Sequence, residues 1–329
     1  MDTFELISKL TAIFGPSGRE GAVSQAIAQL AAPYADEITS DTLGNLIIHK
    51  KGEGPKLMLA AHMDSIGLVV TYMEEDGSLR FGKIGGVTAK EIRNAPIRFE
   101  NGVIGAVKVH GKAAEDKLTL DDLYLDIGAG SREEAQSMVR LGDIAVYTTV
   151  AGKAGNRVIS PYLDNRVSCA VLLKVLEQLK TSRYDLYFVF TVQEELGLRG
   201  AKTAAYGIDP DLAIAVDVTG AYDYLGAPKA GSAVLGGGAA IKVMDSSVIC
   251  HPELVEQFSL LANQRNIKAQ MDVLTRGGTD AGVIHQSRRG VKTGGISIPC
   301  RFAHTPTSVA DMSDVEACID ILSAFIENK

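Results

Sequence analysis

The sequence predicts an α/β protein in which a mixed sheet flanked by helices is interrupted by a small β-barrel-like domain. Three observations lead there. Apolar runs of strand length alternate with helix-spaced segments in residues 1–68 and again in 156–329. Between them, residues 69–155 carry short strand-like runs separated by the turn signals Asp76-Gly77, Gly85-Gly86 and Asn101-Gly102. Finally, a chain of 329 residues with 46% hydrophobic side chains can bury a large core and support two domains.

The elements follow in order. Residues 20–32 have alanine-rich helical spacing and stop at Pro33. Residues 43–50 read as a strand, and the turn Gly52-Glu53-Gly54-Pro55 leads into a second at 57–61. In the insertion, 68–72, 103–109, 122–127 and 143–150 read as strands. Its one helical segment, 131–139, has Ser131 as N-cap and Glu134 three residues on. Past Gly155 the α/β pattern returns, with helices at 167–179, 253–266 and 314–327 and strands at 186–192, 212–216 and 296–300. The result is a discontinuous domain, 1–68 plus 156–329, around an inserted β domain at 69–155.

Composition excludes several classes. With 33 basic against 40 acidic residues the net charge is −7, and no basic cluster offers a surface to nucleic acid or anionic membrane. No stretch approaches the ~20 apolar residues that span a bilayer. Met1-Asp2-Thr3-Phe4-Glu5 is acidic where a signal peptide starts positive. Cys169, Cys250, Cys300 and Cys318 are scattered without a Cys-x-x-Cys pair, the pattern of reduced thiols and a cytoplasmic protein.

Chemistry-bearing residues gather at strand ends. The run at 57–61 enters His62-Met63-Asp64, and 186–192 enters Gln193-Glu194-Glu195. The run at 212–216 enters Asp217, 296–300 is soon followed by His304, and Asp164 opens the helix at 167. In open α/β sheets ligands bind beyond the carboxyl ends of the strands, so these side chains can meet in one crevice. Two imidazoles with several carboxylates suit a pair of divalent ions, one carboxylate bridging them. Within Glu194-Glu195 one carboxylate can bind metal while its neighbour takes a proton from water. Asp64, two residues after His62, is placed to accept the imidazole N–H.

His62-x-Asp64, Asp164-Asn165-Arg166, Gln193-Glu194-Glu195-Leu196-Gly197-Leu198-Arg199-Gly200-Ala201, Asp217-Val218-Thr219 and the late His304 resemble the glutamyl/deblocking aminopeptidases. These are dinuclear metallo-aminopeptidases that form tetrahedral dodecamers, and some members carry cellulase or endoglucanase names. The resemblance extends over nearly the whole chain and takes in the site of the β insertion and Gly278-Thr279-Asp280-Ala281-Gly282. It implies a zinc-peptidase-like catalytic domain and two divalent ions per subunit, Zn or Co, with Mn also accommodated. His62, Asp164 and Asp217 would bind one ion, and Asp164, Glu195 and His304 the second. Glu194 would be general base and then acid, acting on a metal-bridging hydroxide, with Asp64 orienting His62. The insertion would serve dimerisation and assembly of a homo-oligomer, a dodecamer built from dimers. Ser65, Gly236-Gly237-Gly238, Tyr222-Asp223-Tyr224 and Arg301-Phe302-Ala303 depart from the family pattern without removing a ligand.

The expected activity is removal of N-terminal residues from peptides. Thr279, Asp280 and Arg301 are candidate substrate contacts. The alternatives are a deacylase or carboxypeptidase on a similar dinuclear scaffold, and a glycoside hydrolase. The last needs two acids on opposite sides of the scissile bond, and the chain has no Trp to stack on a sugar.

Overall fold

A computed structural model describes residues 1–111, 117–148 and 150–327. Residues 112–116 and 149 of the expected insertion, and 328–329 at the end of the expected catalytic segment, lie outside the described residues. The chain opens with α1 (Thr3–Ala12), α2 (Gly21–Ala31), β1 (Glu37–Ser40), β2 (Leu46–Lys50) and β3 (Lys56–His62). Next come β4 (Gly67–Met73), β5 (Leu79–Ile84), α3 (Ala89–Ile92), β6 (Pro96–Phe99), β7 (Ile104–Val109), β8 (Leu123–Asp126), α4 (Arg132–Met138) and β9 (Ile144–Tyr147). The remainder is β10 (Gly152–Ala154), β11 (Arg157–Ser160), α5 (Leu163–Gln178), β12 (Asp185–Thr191), α6 (Arg199–Ile208), β13 (Leu212–Gly220) and β14 (Ala239–Met244). It closes with α7 (Pro252–Arg265), β15 (Ala269–Val273), α8 (Ala281–Ile284), β16 (Lys292–Arg301), β17 (Ser308–Asp311) and α9 (Met312–Glu327).

The α/β class with an inserted barrel is as the sequence predicts. Eleven strands form one mixed sheet whose centre runs β12-β3-β13-β16, all parallel, while β4-β5-β8-β7-β6-β9 close an antiparallel barrel. Helices cover both faces of the large sheet. In β3, Leu57, Leu59 and Ala61 join the core shared with α1, α5 and α9, whereas Met58 and Ala60 pack with Ala201, Ala204 and Ala205 of α6. Double coverage is why the central strands read as unbroken apolar runs rather than alternating ones.

Several elements differ from the sequence expectation. Asp2 and Glu5 form a capping box that starts α1, a local signal for a helix the expectation lacked. Strand β13 continues through Asp217 to Gly220, paired along its length with β16, so Asp217 lies inside a strand rather than after one. Strand β10 lies within the expected insertion range but pairs with β11 in the large sheet. Ser131 does cap α4, accepting the Glu134 N–H. All four cysteines are free and buried. No helix among the described residues is long and apolar enough to cross a membrane.

One buried cation ties the N-terminal helix to the centre. Arg166 on α5 is wholly buried and donates through Nη1 to Leu10 O (2.8 Å) and through Nη2 to Gly15 O (3.0 Å), the carbonyls where α1 ends. Hydrogen bonds from a charged donor are worth about 1.5–3 kcal/mol each, and their loss strands buried acceptors. An Arg166→Met variant is therefore expected to lose about 3–5 kcal/mol of stability, the scale of two such bonds. Urea unfolding followed by circular dichroism measures it.

Candidate metal centre

The parallel register brings the strand ends to one level. Thr191 of β12 pairs with His62 of β3, and Ala215 of β13 pairs with Ala60, which sets Asp217 beside His62 at the same carboxyl-terminal edge. His62 Nε2 lies 3.0 Å from Asp164 Oδ1 and 3.7 Å from Asp217 Oδ1. His304 Nε2 lies 3.2 Å from Asp164 Oδ2 and 3.0 Å from Glu195 Oε1. The two oxygens of Asp164 thus face two different imidazoles. His62, Asp164 and Asp217 form one group able to hold an ion, and Asp164, Glu195 and His304 a second, each with its ligand atoms within 4.8 Å of one another.

The donor chemistry fits divalent metal. Both imidazoles turn Nε2 inward while Nδ1 is occupied elsewhere. His62 Nδ1 lies 3.2 Å from the Asp64 carbonyl and 3.4 Å from its Oδ1, and His304 Nδ1 lies 3.0 Å from the Gly86 carbonyl. An Nδ1–H donated outward leaves the Nε2 lone pair free for a cation.

The electrostatics describe a site short of positive charge. Burial, with Asp164 and Asp280 adding to it, lifts the Asp217 carboxyl well above its ordinary range despite the pull of His62. Burial also raises Glu194 strongly, against the opposing effect of His62, and the carboxylates of Asp217, Asp280 and Glu195 push the same way. Burial alone would lower the His304 pKa, but hydrogen bonds to Asp164 and Glu195 outweigh it and push it up to about 12. Burial likewise opposes protonation of His62, yet Glu194, Asp164, Asp64 and Asp217 hold it well above the usual imidazole value. These carboxylates draw protons onto the imidazoles with the same field that would hold metal ions.

Asp64 touches more than His62. Its carboxylate accepts the backbone N–H of Glu194 (3.0 Å) and of Glu195 (3.2 Å) and the Ser17 hydroxyl (2.6 Å). It therefore fixes the peptide that presents both glutamates. Glu20 holds the preceding residue, accepting the Gln193 N–H at 3.2 Å. Ser17 and Glu20 were not anticipated, because only the fold brings residues so distant in sequence to this loop. Gly200 is forced by packing: a Cβ there would lie 2.3 Å from Asn45 Oδ1 and 2.4 Å from Val192 O. In the Asp-Asn-Arg motif, Asp164 faces the cavity and Asn165 donates to Val216 O (3.0 Å), next to Asp217.

Glu194 lines the cavity of about 500 Å³ into which both ligand groups open, its Oε2 3.9 Å from His62 Nε2. Of the substrate candidates, Thr279 lines this cavity and donates to Asp245 Oδ2 at 3.1 Å. Asp280 is buried beneath it, accepting the Thr191 hydroxyl at 2.5 Å. Arg301 is not among the residues lining this cavity, and its guanidinium is paired with Asp223 at 2.6 and 2.8 Å. Lys242, also in the wall, is held by Asp272 at 2.6 Å.

Comparisons with known proteins agree with this architecture. The family model described as M42 glutamyl aminopeptidase matches residues 44–321. A relative from Acetivibrio thermocellus, named as an aminopeptidase, is 48% identical over 98% of this chain and 97% of its own. An aminopeptidase structure from Desulfurococcus kamchatkensis superposes with a TM-score of 0.95 at 40% identity, covering 99% of this chain and 95% of that one. The TET1 peptidase of Pyrococcus horikoshii, described as assembling into a tetrahedron or a large octahedral shell, gives 0.89 at 30% identity with both chains fully covered. With the family model spanning most of its length and relatives matching end to end, the chain belongs to the M42 glutamyl aminopeptidase family.

Proposed function

We propose that the protein is a dinuclear metallo-aminopeptidase that removes N-terminal residues from peptides. The observation that carries the reading is the sharing of Asp164 between two ligand groups, with the Glu194 carboxylate beside them in one cavity. His62, Asp164 and Asp217 would hold one divalent ion and Asp164, Glu195 and His304 the other. Zn or Co suits this imidazole and carboxylate set, and Mn is also compatible. When bound, the ions supply Lewis acidity that acidifies water and stabilises developing negative charge on the scissile carbonyl.

The chain's own groups do the proton work. Glu194, whose raised pKa suits a proton carrier, takes a proton from the attacking water and delivers it to the leaving amine. Asp64 keeps Glu194 in place through its backbone N–H and keeps His62 Nε2 aimed inward. The inserted domain, residues 69–155, is assigned to dimerisation and to assembly of a homo-oligomer, by analogy with the P. horikoshii peptidase that forms a tetrahedron or an octahedral shell and with a TET1 structure described as a dodecamer.

A Glu194→Gln variant should retain both ions in elemental analysis and lose about 10²–10⁴-fold in kcat, the contribution typical of a positioned acid–base group. Peptide hydrolysis at the wild-type rate would remove Glu194 from this role. The exo-specificity has its own test, a peptide with a free N-terminus compared by mass spectrometry with its N-acetylated twin. Cleavage is expected only of the free-amine peptide, one residue at a time. Release of acetate from the N-acetylated twin, or trimming from the carboxyl end, would instead identify a deacylase or a carboxypeptidase.

A further inference from the structure

The two ligand groups are built differently. His62 and Asp217 stand on adjacent strands of the large sheet, with Asp64 and the Val218 N–H as neighbours. His304 and Glu195 instead face the barrel. The Gly85-Gly86 turn after β5 presses on both of them: a Cβ on Gly86 would sit 2.6 Å from His304 Nδ1, and one on Gly85 would sit 2.7 Å from Glu195 Oε2. The Gly86 carbonyl accepts from His304 Nδ1 (3.0 Å), and the Tyr147 hydroxyl at the end of β9 donates to the His304 carbonyl (3.2 Å). His304 has a positive φ of 67°, unusual for a residue with a Cβ, so its backbone is held by its surroundings rather than by intrinsic preference. Tyr147 also stacks on Tyr162, two residues before Asp164, with ring centroids 5.6 Å apart and planes 9° from parallel.

We propose that Gly86 and Tyr147 are positioning residues for the second ion, so that the barrel buttresses His304, a ligand that the His62–Asp164–Asp217 group does not use. This rests on the two-ion reading above. Gly86 fixes the tautomer and direction of the His304 ring, and its lack of a side chain is what lets the ring approach. Tyr147 fixes the backbone from which that ring projects. The second ion is then the one whose retention depends on how the barrel sits against the catalytic domain.

The test is metal binding to the full chain. Apo-protein of wild type, Gly86→Ala and Tyr147→Phe is titrated with Co(II), followed by equilibrium dialysis and visible absorption. Gly86 does not have a positive φ, so alanine there acts by displacing the His304 ring. Wild type should bind two ions. Gly86→Ala should weaken one of them at least 10-fold, and Tyr147→Phe about 3–10-fold, with the other ion held within twofold and the altered ion's absorption changed. His304→Ala marks which ion is the second. Two ions bound with wild-type affinity in both variants would overturn the proposal, as would equal weakening of both ions. Wild type binding fewer than two ions would overturn the two-ion reading, and this proposal with it. Tyr147→Phe removes only a hydroxyl, so it keeps the test decisive should Gly86→Ala fail to fold.

Discussion

Everything in the site follows from crowding carboxylates into a largely buried space. Asp164, Glu194, Glu195 and Asp217 converge within reach of two imidazoles, with side chains at most 14% exposed. Like charges at such separations in low dielectric repel strongly, and the arrangement persists only if protons or cations neutralise it. The opposite shifts of Asp164, held low by His304 and His62 against burial, and of Asp217, lifted by burial, show how unevenly the charge is shared. A folded scaffold has to hold these groups together against their repulsion. The parallel register of β12, β3, β13 and β16 supplies that force from the apolar core beneath.

Rigidity is then added group by group through backbone contacts. Asp64 grips the two peptide N–H groups that present the glutamates, and Asn165 joins the Asp164 segment to Val216. Asn45 bridges the β12 end and α6, accepting from Val192 N and donating to Gly200 O. The first two contacts tie one ligand-bearing segment to another, and the third ties the β12 end to elements that bear no ligand. Anchoring of this kind restrains the ligand-bearing backbone, which is what metal affinity requires of preorganised ligands.

Much of this was legible in the sequence because strongly apolar strands announce where they end. The runs preceding His62, Glu194 and Asp217 are buried on both faces, so their carboxyl ends were readable without any pairing information. What stayed hidden depends on contacts distant in the chain. Ser17 meets Asp64 across 47 residues, and Gly86 meets His304 across 218, so neither leaves a local pattern. Gly85-Gly86 reads locally as a turn, and only the packed structure reveals what the missing side chains make room for. Strand β5 was missed because Gly82 and two cations dilute its alternation, and β14 and β15 because they extend the sheet as a side branch off β16. Asp217 looked like a residue beyond a strand because a carboxylate inside one argues against strand continuation.

The same dependence on partners governs how charge near the cavity should be understood. Arg301 and Lys242 are basic and close to the site, yet each is committed to an acid, Asp223 in one case and Asp272 in the other. Asp272 is held in turn by the Thr219 hydroxyl at 3.0 Å. Asp245 in the wall already accepts from Ser247, Val248 and Thr279. The two ion pairs stiffen the wall and contribute little net field, since each screens itself, whereas Asp245 is a carboxylate held by neutral donors. In the aminopeptidase reading, the substrate's ammonium group meets the field of the central carboxylates and their cations. Its side chain meets a wall whose Leu274, Tyr222 and Arg276 are not bound into those pairs. In that reading, selection among N-terminal residues would rest with these wall residues and catalysis with the carboxylate and imidazole cluster.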